Sequence, residues 1–384
     1  MSSELIVHYV SGSRADFGLM ARCLLRLNHD PKIRLGVIVA GQHLSTKYGE
    51  TFAAIDETEL TVVEKIKSDL SGGDGLEMSA AFGHQVSTLG KFWAKTRPDL
   101  VIVLGDRAEM LAASTAAVML NIHCLHIHGG ELSGTIDDRF RHAISKLCHF
   151  HAVTSEDAKI RLERMGIPPQ YIHNIGAPGL VGIKEDAELR VPEAERYFSG
   201  TEIGTKVVCI FHPVVQEIGD ISNQMQVVIE LLLSRKCRGV LLLPNSDAGG
   251  KLIEDTIDKY RSKLSLSRIS IVKHLSRDIY LSLLKSCDIL IGNSSSGIIE
   301  SASLGTPCLN IGSRQNRRLR NTNVVDCPAV STCDLERAFD KAIQLGKTVR
   351  FENKFGDGQA DIYLANLIAK LPLSEESLSY TLNF

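Results

Sequence analysis

The densest chemistry in the chain lies in Leu125-His126-Ile127-His128-Gly129-Gly130-Glu131-Leu132-Ser133-Gly134-Thr135-Ile136-Asp137-Asp138-Arg139. An apolar run ends in paired glycines, and a loop then gathers Glu131, Asp137 and Asp138 ahead of a helical pattern. Crowded carboxylates repel, so their pKa values separate and one serves as base while another serves as acid. His126 and His128 stand two apart in a predicted strand, which places both on one face. With His123, and again with His149 and His151, they mimic metal-ligand spacing. No cysteine or further carboxylate completes a recognised set, so no metal is expected. Another acid, Asp106, follows Val101-Ile102-Val103-Leu104-Gly105. Either it meets a substrate at the carboxyl edge of a sheet or it caps the helix that begins at Arg107, and the two roles are compatible. Asp137 and Asp138 share that second reading, one of them as cap of the helix running through Ala143.

Other segments have the chemistry of anion binding. Ser11-Gly12-Ser13-Arg14-Ala15-Asp16-Phe17-Gly18 is a strand-to-helix turn whose small residues let backbone approach a phosphate or sugar, and Arg14 offers a forked cation. It is not GxGxxG, so it does not point to nicotinamide. Phe211-His212-Pro213 follows a strand, and Pro213 holds His212 extended. His212 there is either a satisfied polar residue or a group that titrates or binds phosphate. Asn245 sits in the polar, glycine-rich loop Pro244-Asn245-Ser246-Asp247-Ala248-Gly249-Gly250, a plain turn or a substrate rim. In Ile291-Gly292-Asn293-Ser294-Ser295-Ser296-Gly297-Ile298-Ile299-Glu300, backbone N–H groups and the hydroxyls of Ser294, Ser295 and Ser296 converge, an arrangement suited to a diphosphate. Glu300, one turn on, is placed to accept from ribose hydroxyls. Arg314 leads a basic loop that closes on phosphates or is simply solvated.

Positioning these loops requires strands that end where the loops begin. Apolar runs at 5–10, 35–40, 100–104, 122–127 and 151–154 predict strands in the first half, with helical patterns at 16–27, 107–119 and 156–164. The second half repeats the alternation, with strands at 207–211, 239–243, 269–272, 288–291 and 306–311 and helices at 224–233 and 251–264. Near-continuous apolar strands imply burial on both faces, hence parallel sheets covered by helices. The Gly-Pro stretch Ile175-Gly176-Ala177-Pro178-Gly179, with the polar segment to about Lys206, reads as the interdomain linker. The chain is therefore predicted to be α/β, two Rossmann-like doubly wound domains facing across a cleft, with ligands outside the carboxyl ends of the strands.

Composition agrees. The 384 residues suit two domains, and 44% hydrophobic with 23% charged residues is ordinary for a globular protein. A net charge of -2 leaves no basic excess for a nucleic-acid partner. Nine cysteines include no CxxC and mostly lie in apolar runs, which reads as reduced core thiols of a cytoplasmic protein. Met1-Ser2-Ser3-Glu4 shows no leader pattern, and no apolar run reaches membrane-spanning length.

Taken together, the segments 11–18, Gly105-Asp106-Arg107, 126–138 with Arg141-His142-Ala143-Ile144, His212-Pro213, 244–249, 292–300, 311–315 and Phe355-Gly356-Asp357-Gly358 resemble the hydrolysing UDP-N-acetylglucosamine 2-epimerases of sialic-acid-type sugar biosynthesis. The resemblance implies a GT-B-like pair of Rossmann domains. These would be 1–178, with a C-terminal helix at about 365–384 packing back on it, and 179–364. It implies anti elimination of UDP with loss of the carbon 2 proton, then syn hydration of the glycal to the free 2-epimer, without a cofactor. It assigns Arg14, His212, Ser294, Ser295 and Arg314 to the UDP phosphates, with Ser296 and Gly297 in the same loop. Glu300 would hold the ribose, and Lys273-His274 would lie near the uracil. Asp106, Asp137 and Asp138 match its acidic catalytic positions. Some members carry Glu where this chain has His128, so proton transfer there passes to His128 or to Glu131. The expected substrate is UDP-N-acetylglucosamine, giving N-acetylmannosamine; the alternative is UDP-2,4-diacetamido-2,4,6-trideoxyglucose, on the way to legionaminate. Residues 41–48 and 133–138 would discriminate at carbons 4 and 6. A glycosyltransferase on the same scaffold is the further alternative, against which the acid-rich 126–138 loop argues. The partners expected are a UDP-sugar and further copies of the chain, as a dimer or tetramer, with no membrane.

Overall fold

In the computed structural model, residues 4–44, 52–67, 75–132, 137–198, 204–244, 249–273, 275–328, 330–348 and 350–380 are described. Asn245 and His274 lie outside them, as do Ser133, Gly134, Thr135 and Ile136. The chain divides into two units, Met1–Val181 with Phe355–Phe384, and Gly182–Lys354.

The described strands of the first unit are β1 (Leu5–Ser11), β2 (Ile33–Ala40), β3 (Val62–Ile66), β4 (Leu100–Leu104), β5 (His123–Ile127), β6 (Phe150–Val153) and β7 (Ile172–Asn174). They form one parallel sheet in the order β3-β2-β1-β4-β5-β6-β7. After β1 the chain runs outward to β3, then returns to lay β4 on the other side of β1. Loops leaving the carboxyl ends of β1 and β4 therefore diverge and leave a crevice, the usual ligand position in such sheets. Every residue of β4 and β5 is buried, as expected of strands covered on both faces.

The second unit repeats the plan with β8 (Lys206–Ile210), β9 (Arg238–Leu242), β10 (Ile269–Val272), β11 (Ile289–Gly292), β12 (Cys308–Ile311) and β13 (Val324–Cys327), in the order β10-β9-β8-β11-β12-β13. Its switch point lies between β8 and β11. Gly292 ends β11 at φ +133°, and a Cβ there would stand 1.8 Å from the Ile210 carbonyl oxygen, so no side chain fits.

Three strands escaped the sequence reading: β3, β7 and β13. All are short, edge-lying and interrupted by polar residues, so their apolar pattern is weak. The segment expected as a linker is also more structured than its polarity suggested. Ala177 N donates to Phe355 O (2.6 Å), which ties 175–181 into the first unit. Beyond it, short helices Ile183–Asp186 and Val191–Arg196 belong to the second unit, and their charges are paired: Arg190 with Asp278 (3.1 Å), Glu195 with Lys206 (3.0 Å). The return to the first unit starts at Phe355, earlier than about 365. Helix Ala360–Ile368 packs Ala360, Leu364 and Ile368 into the core around Phe17, Met20 and Leu24 of helix Arg14–Asn28. The tail then reaches β5, where Ser377 Oγ and the ring Nε2 of His123 are 2.9 Å apart. Among the described residues, no helix is long and apolar enough to cross a membrane.

The first sheet also buries histidines. Trp93 Nε1 donates to His8 Nδ1 (3.1 Å) and the Cys124 amide donates to His149 Nδ1 (3.1 Å), bonds that need neutral rings. Burial holds His8 and His149 down at about 4, His126 at about 3, and His151 well below its ordinary value. The unfolded chain takes up protons below pH ~6.5 that the native protein refuses. Stability should therefore fall as pH drops from ~6.5 towards ~4, by roughly 1.4 kcal/mol per histidine per pH unit. Asp16, which burial raises to about 6, opposes this with one group against four. Urea denaturation should show a clearly lower midpoint at about pH 5.5 than at about pH 7.5; equal midpoints would contradict the burial of neutral rings.

Candidate active site

The β1 loop is fixed by a buried acid. Ser13 caps helix Arg14–Asn28 in a capping box with Asp16. The Asp16 carboxylate accepts from Ser11 Oγ (2.5 Å), Gly12 N (2.9 Å) and Ser13 N (2.8 Å), while Ser11 Oγ also lies 2.9 Å from His43 Nε2. Desolvation raises Asp16 to about 6 despite these bonds. Arg14 is the first residue of the helix, at its positive end, and is exposed.

After β4 and β5 the structure departs from the sequence reading. Asp106 does not cap the following helix: Arg107 holds the N-cap position, without a side-chain bond, and the helix is Ala108–Met119. The Asp106 carboxylate instead accepts from Arg141 Nη2. Arg141, in helix Asp137–Leu147, is 3% exposed, and its Nη1 donates to the His128 carbonyl (2.9 Å). A single guanidinium thus ties the loop after β4 to the loop after β5. His128 is not a strand residue and does not share a face with His126. β5 ends at Ile127, and His128 turns into the left-handed region at φ +63°. Gly130 follows at φ +77°, where a Cβ would stand 2.4 Å from Ala158 O, so the chain must be glycine to turn against helix Glu156–Arg164.

That turn brings His128 Nδ1 to 2.8 Å from Glu131 Oε1, which also accepts from Thr154 Oγ1 (2.5 Å) beyond β6. His126 is fully used: its Nε2 lies 2.7 Å from Gly105 O and its Nδ1 3.0 Å from Ser145 Oγ. Asp137 and Asp138 occupy the first turn of helix Asp137–Leu147, the former exposed and the latter half-buried. Among the described residues, no three His, Cys, Asp or Glu side chains group to hold a metal ion.

The second unit builds its site around Asn293, 1% exposed after β11. Its side-chain Oδ1 accepts from His212 N (2.7 Å) and its Nδ2 donates to His212 O (2.8 Å), so the amide clips the loop after β8 as a strand would. Its own carbonyl accepts from Arg314 Nη1 (3.1 Å) and Gln315 Nε2 (2.9 Å), which fixes the loop after β12. Burial, reinforced by Arg314, pushes His212 down to about 4, so its ring is neutral near pH 7 rather than titrating there. Ser294 and Ser295 stand half-exposed beside this clip. The helix after them, Ser296–Ile299, is a single turn, which limits any dipole contribution. Gly297 is buried within it. Glu300 accepts from Ser296 Oγ (2.5 Å) and pairs with Arg277 (2.9 Å), and Tyr280 OH donates to Ser296 Oγ (2.7 Å). Lys273 is exposed just beyond β10. Sequence reasoning gave no role to Arg141, Thr154, Asn293 or Arg277. Asn293 carried the best signal, a lone amide between a strand-ending glycine and the serines.

The family model described as UDP-N-acetylglucosamine 2-epimerase matches residues 25–369. Among relatives, a Legionella pneumophila UDP-N,N'-diacetylbacillosamine 2-epimerase (hydrolyzing) is 40% identical over 373 residues, 97% of each chain. A Neisseria meningitidis UDP-N-acetylglucosamine 2-epimerase is 30% identical over 338 residues, covering 88% of this chain and 87% of that one. A crystal structure of a UDP-GlcNAc 2-epimerase from Neisseria meningitidis, bound to UDP-GlcNAc, shares the fold with TM-score 0.79 at 20% identity, over 96% of this chain and all of the other.

The Arg141 fork yields a prediction about stability. Arg141→Met leaves the Asp106 carboxylate and the His128 carbonyl without their donor and should cost about 3–4 kcal/mol in urea denaturation. Arg141→Lys keeps the charge but not the two-pronged geometry, and should recover only part of that loss. A cost below about 1 kcal/mol for the methionine variant would contradict the tie between the two loops.

Proposed function

The chain belongs to the UDP-N-acetylglucosamine 2-epimerase family, and on that premise we propose that it is a hydrolysing 2-epimerase of UDP-N,N'-diacetylbacillosamine, a UDP-linked 2,4-diacetamido-2,4,6-trideoxy sugar. The observation that carries the choice of sugar is the higher identity, over nearly the full length, to the relative named for that substrate than to the relative named for UDP-N-acetylglucosamine. Both sugars present the same UDP and the same carbon 2, so the machinery for either is shared.

In this reading the first unit handles the sugar. Proton transfer falls to the acids and histidine gathered after β4 and β5: Asp106, His128, Glu131, Asp137 and Asp138. The second unit handles the nucleotide. Ser294, Ser295 and Arg314 meet the diphosphate, and the neutral His212 ring contributes a hydrogen bond rather than a charge. Ser296 and Gly297 shape that loop, and Glu300, steadied by Arg277, accepts from the ribose. Arg14 adds a cation from the first unit, and Asn245, Lys273 and His274 complete the nucleotide side. The carbon 2 proton is removed as UDP departs, and water adds to the resulting glycal to release the free 2-epimer. Fixed donors aimed at the departing diphosphate lower the barrier because they need no reorganisation as charge develops. Buried free thiols at every cysteine except Cys333 support a reducing, cytoplasmic setting, and a homo-oligomer completes the reading.

NMR of the reaction in deuterated water tests this directly. The expected products are UDP and a free 2-epimeric sugar carrying deuterium at carbon 2, formed faster from the diacetamido substrate than from UDP-N-acetylglucosamine. Faster turnover of the latter overturns the choice of sugar, and retention of the original hydrogen overturns the mechanism. Asp106→Asn should lower kcat about 10²–10⁴-fold with UDP affinity nearly unchanged. Ser295→Ala should weaken UDP binding roughly tenfold, about 1.4 kcal/mol, in calorimetry.

A further inference from the structure

We infer that Nε2 of His128 is the base that removes the carbon 2 proton, and that Glu131 and Thr154 act through it as positioning residues; this deepens the epimerase reading and rests on it.

The hydrogen bonds separate the two candidates. Glu131 is 7% exposed, and its Oε1 accepts from both Thr154 Oγ1 (2.5 Å) and His128 Nδ1 (2.8 Å). A carboxylate accepting from Nδ1 fixes the neutral tautomer with the proton on Nδ1 and the lone pair on Nε2. His128 Nε2 is buried and has no hydrogen-bond partner among the described residues. An unmatched buried polar atom costs about 1–3 kcal/mol, a cost that a proton-abstracting role explains. His126 offers no such atom, because both its nitrogens are engaged, and His151 lies inside the sheet on β6.

The ring is also held still. Its backbone sits in the left-handed region, and its carbonyl is gripped by the guanidinium that holds Asp106. Among the described residues, the charged or titratable groups around it are Glu131 from its own loop, Asp106 after β4, Arg141 from helix Asp137–Leu147, His126 on β5 and Arg161 of helix Glu156–Arg164, which donates to the Gly130 carbonyl. In the step, the Nε2 lone pair takes the hydrogen from carbon 2. The C–H electron pair becomes the carbon 1–carbon 2 double bond, and the carbon 1–oxygen pair leaves with UDP. Glu131 stabilises the imidazolium that forms, as a carboxylate behind a histidine base does elsewhere. Because carbon 2 inverts, the new hydrogen arrives on the opposite ring face. His128 therefore only removes a proton, and passes it to solvent.

The test uses the full chain and first requires that the unaltered enzyme release UDP and incorporate deuterium at carbon 2; failure there overturns the epimerase reading itself. His128→Asn suits a left-handed backbone and should cut kcat about 10²–10⁴-fold, with KM and UDP affinity within about threefold. His128→Gly, which that backbone also favours, should regain turnover when imidazole is added. Glu131→Gln keeps an acceptor for Thr154 but removes the charge behind the ring. The ring becomes a weaker base, so the plateau of kcat should fall and the acid limb of its pH profile should move to lower pH. Near-normal turnover in His128→Asn with loss of activity in Glu131→Gln overturns the proposal and makes Glu131 the base. An acid limb that does not move in Glu131→Gln overturns it as well, and this measurement decides should either His128 variant not fold.

Discussion

A parallel strand buried on both faces cannot keep a polar side chain along its length unless that side chain is neutral or fully paired. This constraint sorts every chemistry-bearing residue of the chain. β4 contains none, and its acid, Asp106, waits until the strand has ended. β5 and β6 do contain histidines, and these are held neutral by burial, with pKa values driven far below the ordinary one. Beside β4, β5 and β6 the charged groups of the site stand at the carboxyl edge, where loops rise from the sheet and side chains from neighbouring loops can reach one another.

The two units then solve the same problem with different atoms. Loops that leave separate strands must be bound to one another if they are to hold a fixed constellation. In the first unit a buried guanidinium does so, one nitrogen on Asp106 and another on the His128 carbonyl. In the second a buried amide does so, with Asn293 donating to and accepting from the backbone of His212. Each tie is made to main chain on one side, which fixes backbone rather than a mobile side chain. Preorganised geometry of this kind is what catalysis by fixed dipoles requires.

Which parts were legible in the sequence follows from how far each signal travels along the chain. Strand, turn and helix signals are local, so the alternation of β1, β4, β5, β8 and β11 with their loops could be read directly. Edge strands such as β7, three residues with a polar centre, carry too little pattern. His128 was misplaced because alternation was extended one residue past Ile127, whereas the paired glycines after it already signalled a turn. Arg141 appeared only within a segment of the family resemblance and without a role, since its partners lie in loops 13 and 35 residues away in sequence. The polar segment up to Lys206 read as a linker for the same reason, the partners of its charges being distant in the chain.

Pairing also distinguishes scaffold from chemistry within the site. Asp16, His126 and Asn293 are polar, buried and engaged with loop backbone or neighbouring hydroxyls, so they set the shape of loops. His128 and His212 each stand just past a strand, β5 and β8, and each keeps one buried ring nitrogen without a partner among the described residues. Their environments differ in sign. His128 has the Glu131 carboxylate behind its Nδ1; His212 is buried with Arg314 beside it, and both disfavour a proton there. Two buried histidines at the starts of loops are thus placed in opposite fields, one by a carboxylate of its own loop and the other by a guanidinium from the loop after β12.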